Sequence, residues 1–264
     1  MSSELLSKES IAKLRDNHAL LKELIYPKAI LEKGYANRTL HLDLSSMDIV
    51  IKPVTEQMKD LFIGGKGFDL FLMWQEVNPK TRWDSPENAI CISSGPLGGT
   101  TSFPGSGKSL VTSISPTTGA PIDSNVGGHF GGLLKASGFD AICIVGKARE
   151  DVIVVIDGED LSVRIETAPL EDVNAHIVSE QLTEMYAKDD RDKRNISVVS
   201  SGIAAEHSLL GILNFSWFDW RRDSTRVKQA GRGGIGTVFR DKKIKALLVR
   251  CPLWRPKWSI STVK

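Results

Sequence analysis

The sequence contains the stretch Ala89-Ile-Cys-Ile-Ser-Ser-Gly95 and, later in the chain, the similar stretch Asn195-Ile-Ser-Val-Val-Ser-Ser-Gly202. Each has an apolar run typical of a buried strand, and each run is closed by Ser-Ser-Gly. Further along, Gly127-Gly-His-Phe-Gly131 corresponds in the same way to Gly233-Gly-Ile-Gly236. Two matching elements in the same order indicate that the chain repeats a structural unit.

A third element supports this repeat. The last glycine of each glycine block is followed ten residues later by the alanine of an apolar strand, and these strands are Ala141-Ile-Cys-Ile-Val and Ala246-Leu-Leu-Val-Arg. Three elements in register predict a duplicated unit with a pseudo-twofold axis. Such a frame suits a ligand with two similar halves, or a flat ligand that lies on the axis.

The segments between these strands predict an α+β sandwich. Hairpins are expected from Tyr35 to Val54 and across Asp157-Gly158, and helices at 68–76 and 170–187. Hairpins and helices therefore come in clusters, without the regular βαβ alternation of a parallel sheet.

The N-terminal residues form a separate segment in this interpretation. Leu5, Ile11, Leu14 and the leucines that follow have helical spacing, which predicts a helix from Ser3 to about Glu32 that ends at Gly34. We expect residues 1–34 to be a helical extension. It either packs on the domain or serves as an arm that binds a partner.

Composition excludes several classes of protein. The 264 residues include 34 Lys and Arg and 32 Asp and Glu, so a net charge of +2 gives no field that would attract nucleic acid or an anionic membrane. The N-terminus lacks the unbroken apolar run of a signal peptide or membrane span, which predicts a cytoplasmic protein.

The three cysteines, Cys91, Cys143 and Cys251, are expected to be buried thiols, and their spacing does not suit an iron–sulfur cluster.

Two glycine-rich segments, 95–132 and 231–236, are candidate anion-binding cradles, because glycine lets backbone N–H groups approach phosphate oxygens. Tight sheet corners would explain the same glycines.

Two nucleotide-binding motifs match only in part and are discounted. Residues 102–109 resemble a P-loop but have Ser102 in place of its first glycine, and residues 231–236 match GxGxxG but follow no buried strand. The nearby cations Lys108, Arg226, Lys228 and Arg232 suit a diphosphate or a phosphorylated pterin, or else a solvated basic face.

Several blocks of the sequence, in order, resemble the N-terminal domain of the aldehyde ferredoxin oxidoreductases. The likeness runs from about Gly34 to Arg250. The blocks are Ser85-Pro-Glu-Asn88, Ser94-Gly-Pro-Leu-Gly-Gly-Thr100, Ser115-Pro-Thr-Thr-Gly119, Asn125-Val-Gly-Gly-His-Phe-Gly131, Lys135-Ala-Ser-Gly-Phe-Asp-Ala141 and Ala230-Gly-Arg-Gly-Gly-Ile-Gly236. The resemblance implies two sheets with flanking helices, built by duplication around a metal held between two pterin dithiolenes.

The resemblance also implies residues that bind this cofactor. Lys108 and Lys228 match arginines that contact the pterin phosphates, and Gly127 matches a backbone position that contacts a pterin. Asn125 and Gln229 match positions whose backbone carbonyls bind the magnesium that bridges the two pterins. Lysine keeps the charge of arginine but loses its bidentate fork, so weaker phosphate binding is expected.

The implied cofactors are a tungsten or molybdenum bis-pterin, magnesium and a [4Fe–4S] cluster, with the cluster on another part of the assembly. The family reaction oxidises an aldehyde to a carboxylate and passes electrons to ferredoxin. We expect a pterin-binding domain at 35–251, with repeats at about 35–148 and 149–251, and a tail at 252–264. A second chain would supply the cysteine-rich helical domains. Alternatively, this chain is a pterin-binding or assembly module without catalysis, or a truncated fragment.

No residue is predicted to act as an acid, a base or a nucleophile. His129 lies in a glycine block, and a packing or supporting role is expected for it. Four tryptophans are expected either to cover the cofactor site or to contact the partner: Trp217, Trp220, Trp254 and Trp258. For Trp217 and Trp220, burial in the core is a further alternative.

Overall fold

The fold is described from a computed structural model, which describes residues 6–100, 105–168 and 174–252. The order of its elements confirms the expected α+β fold built by duplication, with two sheets and flanking helices. The C-terminal tail from 253 onward lies outside the described residues. Within the described part, none of the helices has the length and apolar character that a membrane span needs.

The first sheet contains six strands of the first half. A hairpin and three further strands assemble around β4, which is the Ala89 stretch identified in the sequence. The elements are β2 (Arg38–Asp43), β3 (Asp48–Pro53), α2 (Glu56–Leu61), α3 (Lys66–Glu76), β4 (Ile90–Ser93), β5 (Ser109–Ile114), β6 (Pro121–Val126), α4 (Phe130–Ala136) and β7 (Ala141–Val145). Their order in the sheet is β3-β2-β7-β4-β5-β6.

The second sheet repeats this arrangement. Its order is β1-β9-β8-β13-β10-β11-β12, where β1 is the N-terminal strand Leu20–Ile25. Without β1, this order is that of the first sheet with every strand replaced by its counterpart. In both halves the last strand runs parallel to the first strand of the hairpin and antiparallel to the central strand. The elements are β8 (Val152–Asp157), β9 (Ser162–Thr167), α5 (Ala175–Tyr186), β10 (Ile196–Ser200), β11 (Leu213–Asp219), β12 (Ser224–Ala230), α6 (Ile235–Asp241) and β13 (Ile244–Arg250).

The two sheets share one hydrophobic core. Alternate strand residues such as Leu40 and Ile142 of the first sheet, and Val154 and Leu247 of the second, belong to a single buried cluster. The helices α4 and α6 contribute to the same cluster, and each contacts strands of the other half. The opposite faces of the sheets are covered separately, the first by α3 and the second by α5. The duplication therefore produces two interlocked halves.

The N-terminal segment differs from the prediction. A helix, α1, covers only Lys8–Asp16, where Ser7 Oγ accepts the Ser10 N–H at 3.1 Å and caps the first turn. Leu20–Ile25 form a strand, β1, which pairs antiparallel with β9. The expected helix over this second part is wrong, because pairing with an open sheet edge outweighs the helical spacing of the leucines. Residues 1–5 lie outside the description.

Candidate cofactor-binding site

The edge strands β6 and β12, one from each half, meet between the two sheets. The Arg232 N–H donates to Ser124 Oγ at 3.2 Å, and a side chain added at Gly233 would stand 2.4 Å from Ile122. The repeat thus brings the two glycine-rich segments together at one place in the molecule. All five residues that the family resemblance singled out lie on or next to the hairpins that end in these strands.

Asn125 and Gln229 occupy equivalent positions in the two halves. Asn125 pairs with Leu110 across the β5–β6 ladder, and Gln229 pairs with Asn214 across the β11–β12 ladder. Each is exposed and stands one residue before the buried residue that ends its strand. Two equivalent backbone positions on touching edge strands have the symmetry that a shared central ligand requires.

Gly127 is equivalent to Gly231, because each directly follows the buried residue that ends β6 or β12. A side chain added at either glycine would meet nothing within 4 Å, so open space lies above both backbones. The internal repeat in the sequence instead matches Gly127 with Gly233. The second half has one more residue between its strand and its helix, and strand register rather than glycine spacing would have given the correct pair.

The glycines of the two segments divide into two groups. Gly99, Gly107 and Gly236 are required by packing, because an added side chain would stand 2.7 Å or less from a neighbouring backbone. In contrast, a second group has open space where a side chain would be added: Gly95, Gly105, Gly119, Gly127, Gly128 and Gly231. The interpretation as tight corners therefore applies to the first group, and only the second group could let a ligand approach the backbone.

Lys108 and Lys228 are exposed cations on either side of this junction. Lys108 directly precedes β5, one ladder position beyond the Ser109–Val126 pair, which places it beside Gly127. Lys228 lies within β12 and pairs with Phe215. The two lysines are not at equivalent positions, since the register makes Ser124 the counterpart of Lys228. Each half nevertheless contributes one lysine beside its glycines.

A buried lysine holds the first glycine-rich loop in place. Lys135 in α4 is fully buried, and its Nζ donates to the carbonyl oxygens of Gly34 at 2.9 Å and Gly95 at 2.8 Å. Its charge is balanced by Asp140 at 3.2 Å. Burial lowers the pKa of Lys135, and the neighbouring Asp140 carboxylate opposes that shift. The start of the loop is therefore anchored to the core by a charged residue.

His129 lies beside Trp217 of β11, with ring centroids 5.9 Å apart. This packing contact joins the start of α4 to the second sheet. Trp217 is half-buried, whereas Trp220 is 59% exposed beyond the end of β11. Trp254 and Trp258 lie outside the described residues.

These features fit a pterin cofactor carrying phosphates. Open glycine backbones let a flat ring approach closely, and the exposed lysines supply the charge that a phosphate needs. The two equivalent carbonyl positions, Asn125 and Gln229, offer hard oxygen ligands of the kind that magnesium prefers.

Comparison with known proteins shows the family of this chain. The family model described as the aldehyde ferredoxin oxidoreductase N-terminal domain matches residues 39–251. A tungsten-containing aldehyde ferredoxin oxidoreductase of Pyrococcus horikoshii is 33% identical over 219 residues, which are 82% of this chain and 33% of that protein. The aliphatic sulfonate oxidoreductase WOR-like subunit of Pyrococcus furiosus is 27% identical over 82% of this chain and 34% of its own length.

A solved structure shows the same fold. The active-site complex BamBC of benzoyl coenzyme A reductase, determined with 1,5-dienoyl-CoA, contains a chain that matches with a TM-score of 0.71 and 27% identity, over 83% of this chain and 31% of that chain. The present chain thus spans about a third of the length of the relatives that it matches. From Thr39 to Cys251, this protein belongs to the aldehyde ferredoxin oxidoreductase family and corresponds to its N-terminal domain.

Proposed function

We propose that this chain is the pterin-binding base of a tungsten-containing oxidoreductase. The observation that carries the proposal is the junction of β6 and β12, where Gly127 and Gly231 leave open space at equivalent positions and the hairpins that lead to them carry the exposed Lys108 and Lys228. Relatives of this chain are tungsten-containing oxidoreductases, which supports the same cofactor here.

Each half of the chain is proposed to hold one of two pterins. The glycine backbones let the pterin approach, and Lys108 and Lys228 bind phosphate oxygens as point charges. The backbone carbonyl oxygens of Asn125 and Gln229 would hold the magnesium ion that bridges the two pterins. When bound, the tungsten, or molybdenum in its place, accepts electrons from the substrate. The role of this chain is to orient the cofactor, and we assign no acid, base or nucleophile to it.

The reaction that we propose for the assembly is oxidation of an aldehyde to a carboxylate. Electrons would then pass through a [4Fe–4S] cluster to ferredoxin, and we propose a cytoplasmic location for the assembly. The cluster and the substrate pocket belong to the two thirds of the family protein that this chain does not span. That part is supplied by a partner chain or by further domains. We propose that residues 35–251 form the pterin-binding domain, with repeats at about 35–148 and 149–251.

Cofactor retention tests the proposal. The chain is purified from a host that makes the tungsten or molybdenum pterin, and bound pterin and metal are measured by fluorescence and mass spectrometry. Lys108→Ala combined with Lys228→Ala should lose the pterin, whereas Arg at both positions should hold it at higher salt, because guanidinium binds phosphate through two hydrogen bonds. Lys80→Ala, at an exposed loop position, is the control.

The outcomes separate the alternatives. Pterin and tungsten that co-purify with a cysteine-rich chain support the oxidoreductase. Pterin retained without such a chain favours a cofactor-binding module, and an insoluble, empty chain favours a fragment. Equal retention by the native chain and the double alanine variant would overturn the assignment of the two lysines.

A further inference from the structure

A row of polar residues crosses the first sheet beneath α3, on the face away from the shared core. Ladder pairing places His41 beside Cys143, Cys143 beside Cys91, Cys91 beside Thr112, and Thr112 beside Asp123. The cysteines belong to the buried cluster that α3 covers. None of these residues takes part in the cofactor site described above.

Three ligating atoms converge at one end of this row. One atom each from His41, Cys143 and Glu76 lie within 4.8 Å of one another, with Glu76 reaching down from the last turn of α3. His41 and Cys143 are buried, while the Glu76 side chain is 26% exposed. The group therefore has a nearly dry interior and one side open to solvent.

Hydrogen bonds fix the orientation of the His41 ring. Thr39 Oγ lies 3.3 Å from the Lys52 carbonyl oxygen, to which it can only donate, and 3.1 Å from His41 Nε2; in the arrangement that satisfies both contacts, Nε2 donates to Oγ. The proton is then on Nε2, and Nδ1 presents its lone pair toward Glu76 Oε1, 3.9 Å away. A histidine that binds a metal through one ring nitrogen usually donates a hydrogen bond from the other.

In this arrangement two acceptors, His41 Nδ1 and Glu76 Oε1, face each other at 3.9 Å, and a cation between them would satisfy both. Lys52 partly meets this need, with its Nζ 3.9 Å from Glu76 Oε1. The Lys52 side chain is 46% exposed on a flexible stem, so it can move away.

The second half of the chain provides an internal comparison. Ala141 of β7 and Ala246 of β13 are equivalent, and from them the register makes Val155 the counterpart of His41, Leu248 that of Cys143 and Val198 that of Cys91. These three residues are buried beneath α5 in an ordinary apolar cluster. The fold therefore does not require polar groups at this place, and the first half holds them for another reason.

We propose that His41, Glu76 and Cys143 bind a zinc ion between α3 and the first sheet. Zinc combines nitrogen, sulfur and oxygen ligands in tetrahedral sites, where bonds of about 2.0–2.3 Å set ligands about 3.5 Å apart. The three atoms reach this spacing by closing about 1 Å, and water from the open side takes the fourth position. Cys91 is the neighbour of Cys143 across the β4–β7 ladder, where its thiol could support the Cys143 sulfur as a ligand.

Metal titration of the full chain tests this site. After treatment with a chelator, the chain is titrated with Zn²⁺ by calorimetry and with Co²⁺ as a spectroscopic probe. We expect one metal ion per chain at this site and a cobalt spectrum with tetrahedral bands and a thiolate charge-transfer band. Since loss of a supporting group already weakens zinc binding about 10- to 100-fold, loss of a ligand should weaken it by at least about 100-fold.

Two variants replace a proposed ligand with the apolar residue found at the equivalent position of the second half. His41→Val and Cys143→Leu should lose zinc while circular dichroism shows an unchanged fold, and Cys143→Leu should also remove the thiolate band. Glu76→Gln, at the partly exposed helix end, keeps the fold and should keep the band while binding weakens. Cys91→Val should keep the band, and His207→Gln, at an exposed position, should change nothing.

Three results would overturn the proposal: no stoichiometric zinc in the native chain, a cobalt spectrum without a thiolate band, or equal zinc affinity in Glu76→Gln and the native chain. Loss of the band in Cys91→Val but not in Cys143→Leu would show that the wrong thiol has been assigned. None of these measurements depends on bound pterin, so the result is independent of the proposed function.

Discussion

Buried cations occupy the same position in both repeats and hold neighbouring segments of the chain in place. Lys135 of α4 and Arg240 of α6 are the sixth residues of helices that match in length and place. Lys135 holds the carbonyls of Gly34 and Gly95, whereas Arg240 pairs with Asp151 and Glu206 and donates to the Ile244 carbonyl. Duplication thus preserved a cation, while its partners diverged.

Lys135→Met should strongly destabilise the protein. Methionine fills a similar volume but removes the hydrogen bonds to the Gly34 and Gly95 carbonyls and leaves the buried Asp140 carboxylate without its cation. Breaking a buried pair in this way typically costs about 3–5 kcal/mol. Urea unfolding measures the change in the free energy of unfolding. Lys59→Met, which removes an exposed pair with Glu56, should cost under about 1 kcal/mol, and a similar small loss at Lys135 would contradict the anchoring role.

Some site residues could be predicted from the sequence, and others could not. The five cofactor residues were identified because short motifs match a family, and the strand register then placed Asn125 and Gln229 at equivalent positions. The pairing of His41 with Cys143 could not be read from the sequence. Residues far apart in the chain become neighbours only once the parallel pairing of β2 with β7 is known.

At the scale of elements, apolar runs were predictable and sheet edges were not. The central strands β4, β7 and β13 are continuous apolar segments, and the structure has them where the sequence indicates. The edge strands β6 and β12 carry polar residues on one face and were not predicted. β1 was mistaken for helix because its partner strand, β9, lies far away in the sequence.

The Glu166 carboxylate joins the N-terminal segment to the second sheet. It accepts hydrogen bonds from Arg164 at 2.9 Å and from Tyr186, and its Oε2 lies 3.1 Å from His18 Nδ1. Burial raises the pKa of Glu166, but the hydrogen bonds from His18, Tyr186 and Arg164 outweigh it and bring the pKa to about 2. One carboxylate thus connects β9, the end of α5 and the link between α1 and β1.

This cluster predicts a loss of stability in acid. Because the folded pKa lies below the usual 4.5, the unfolded chain binds a proton more readily, and stability should fall as the pH drops from about 4.5 to 2. The contribution at neutral pH is about 3 kcal/mol at most, from 1.36 kcal/mol per pKa unit. Glu166→Gln should flatten this part of the curve of unfolding free energy against pH.

Hydrogen exchange would show where the effect lies. The amides of β1 should exchange faster in Glu166→Gln at neutral pH, because the link that holds this edge strand is weakened. Glu23→Gln, at an exposed position on β1 itself, serves as the control and should leave both the pH curve and the exchange rates unchanged. Parallel pH curves for the native chain and Glu166→Gln would contradict the prediction.

At the scale of the whole molecule, the two repeats are bound to each other by exchanged helices. α4 belongs to the first half but contacts β10, β11 and β13, and α6 belongs to the second half but contacts β4 and β5. Both helices place large apolar residues, Phe130 and Phe239 among them, in the core shared by the sheets. Each half alone would expose that surface to water, at a cost of about 25 cal/mol per Å² of apolar area.

Neither repeat should therefore fold by itself, although together they should. Residues 35–148 and 149–252, expressed as separate chains, are expected to give poorly dispersed NMR spectra and no cooperative thermal transition when studied alone. Mixed after denaturation, they should recover the native spectrum as a one-to-one complex, because no element crosses the cut between β7 and β8. A fragment boundary at 100, inside the first sheet, is the control and should abolish recovery. A cooperatively folded 35–148 would show that the repeats are independent domains and that the cofactor junction formed later between them.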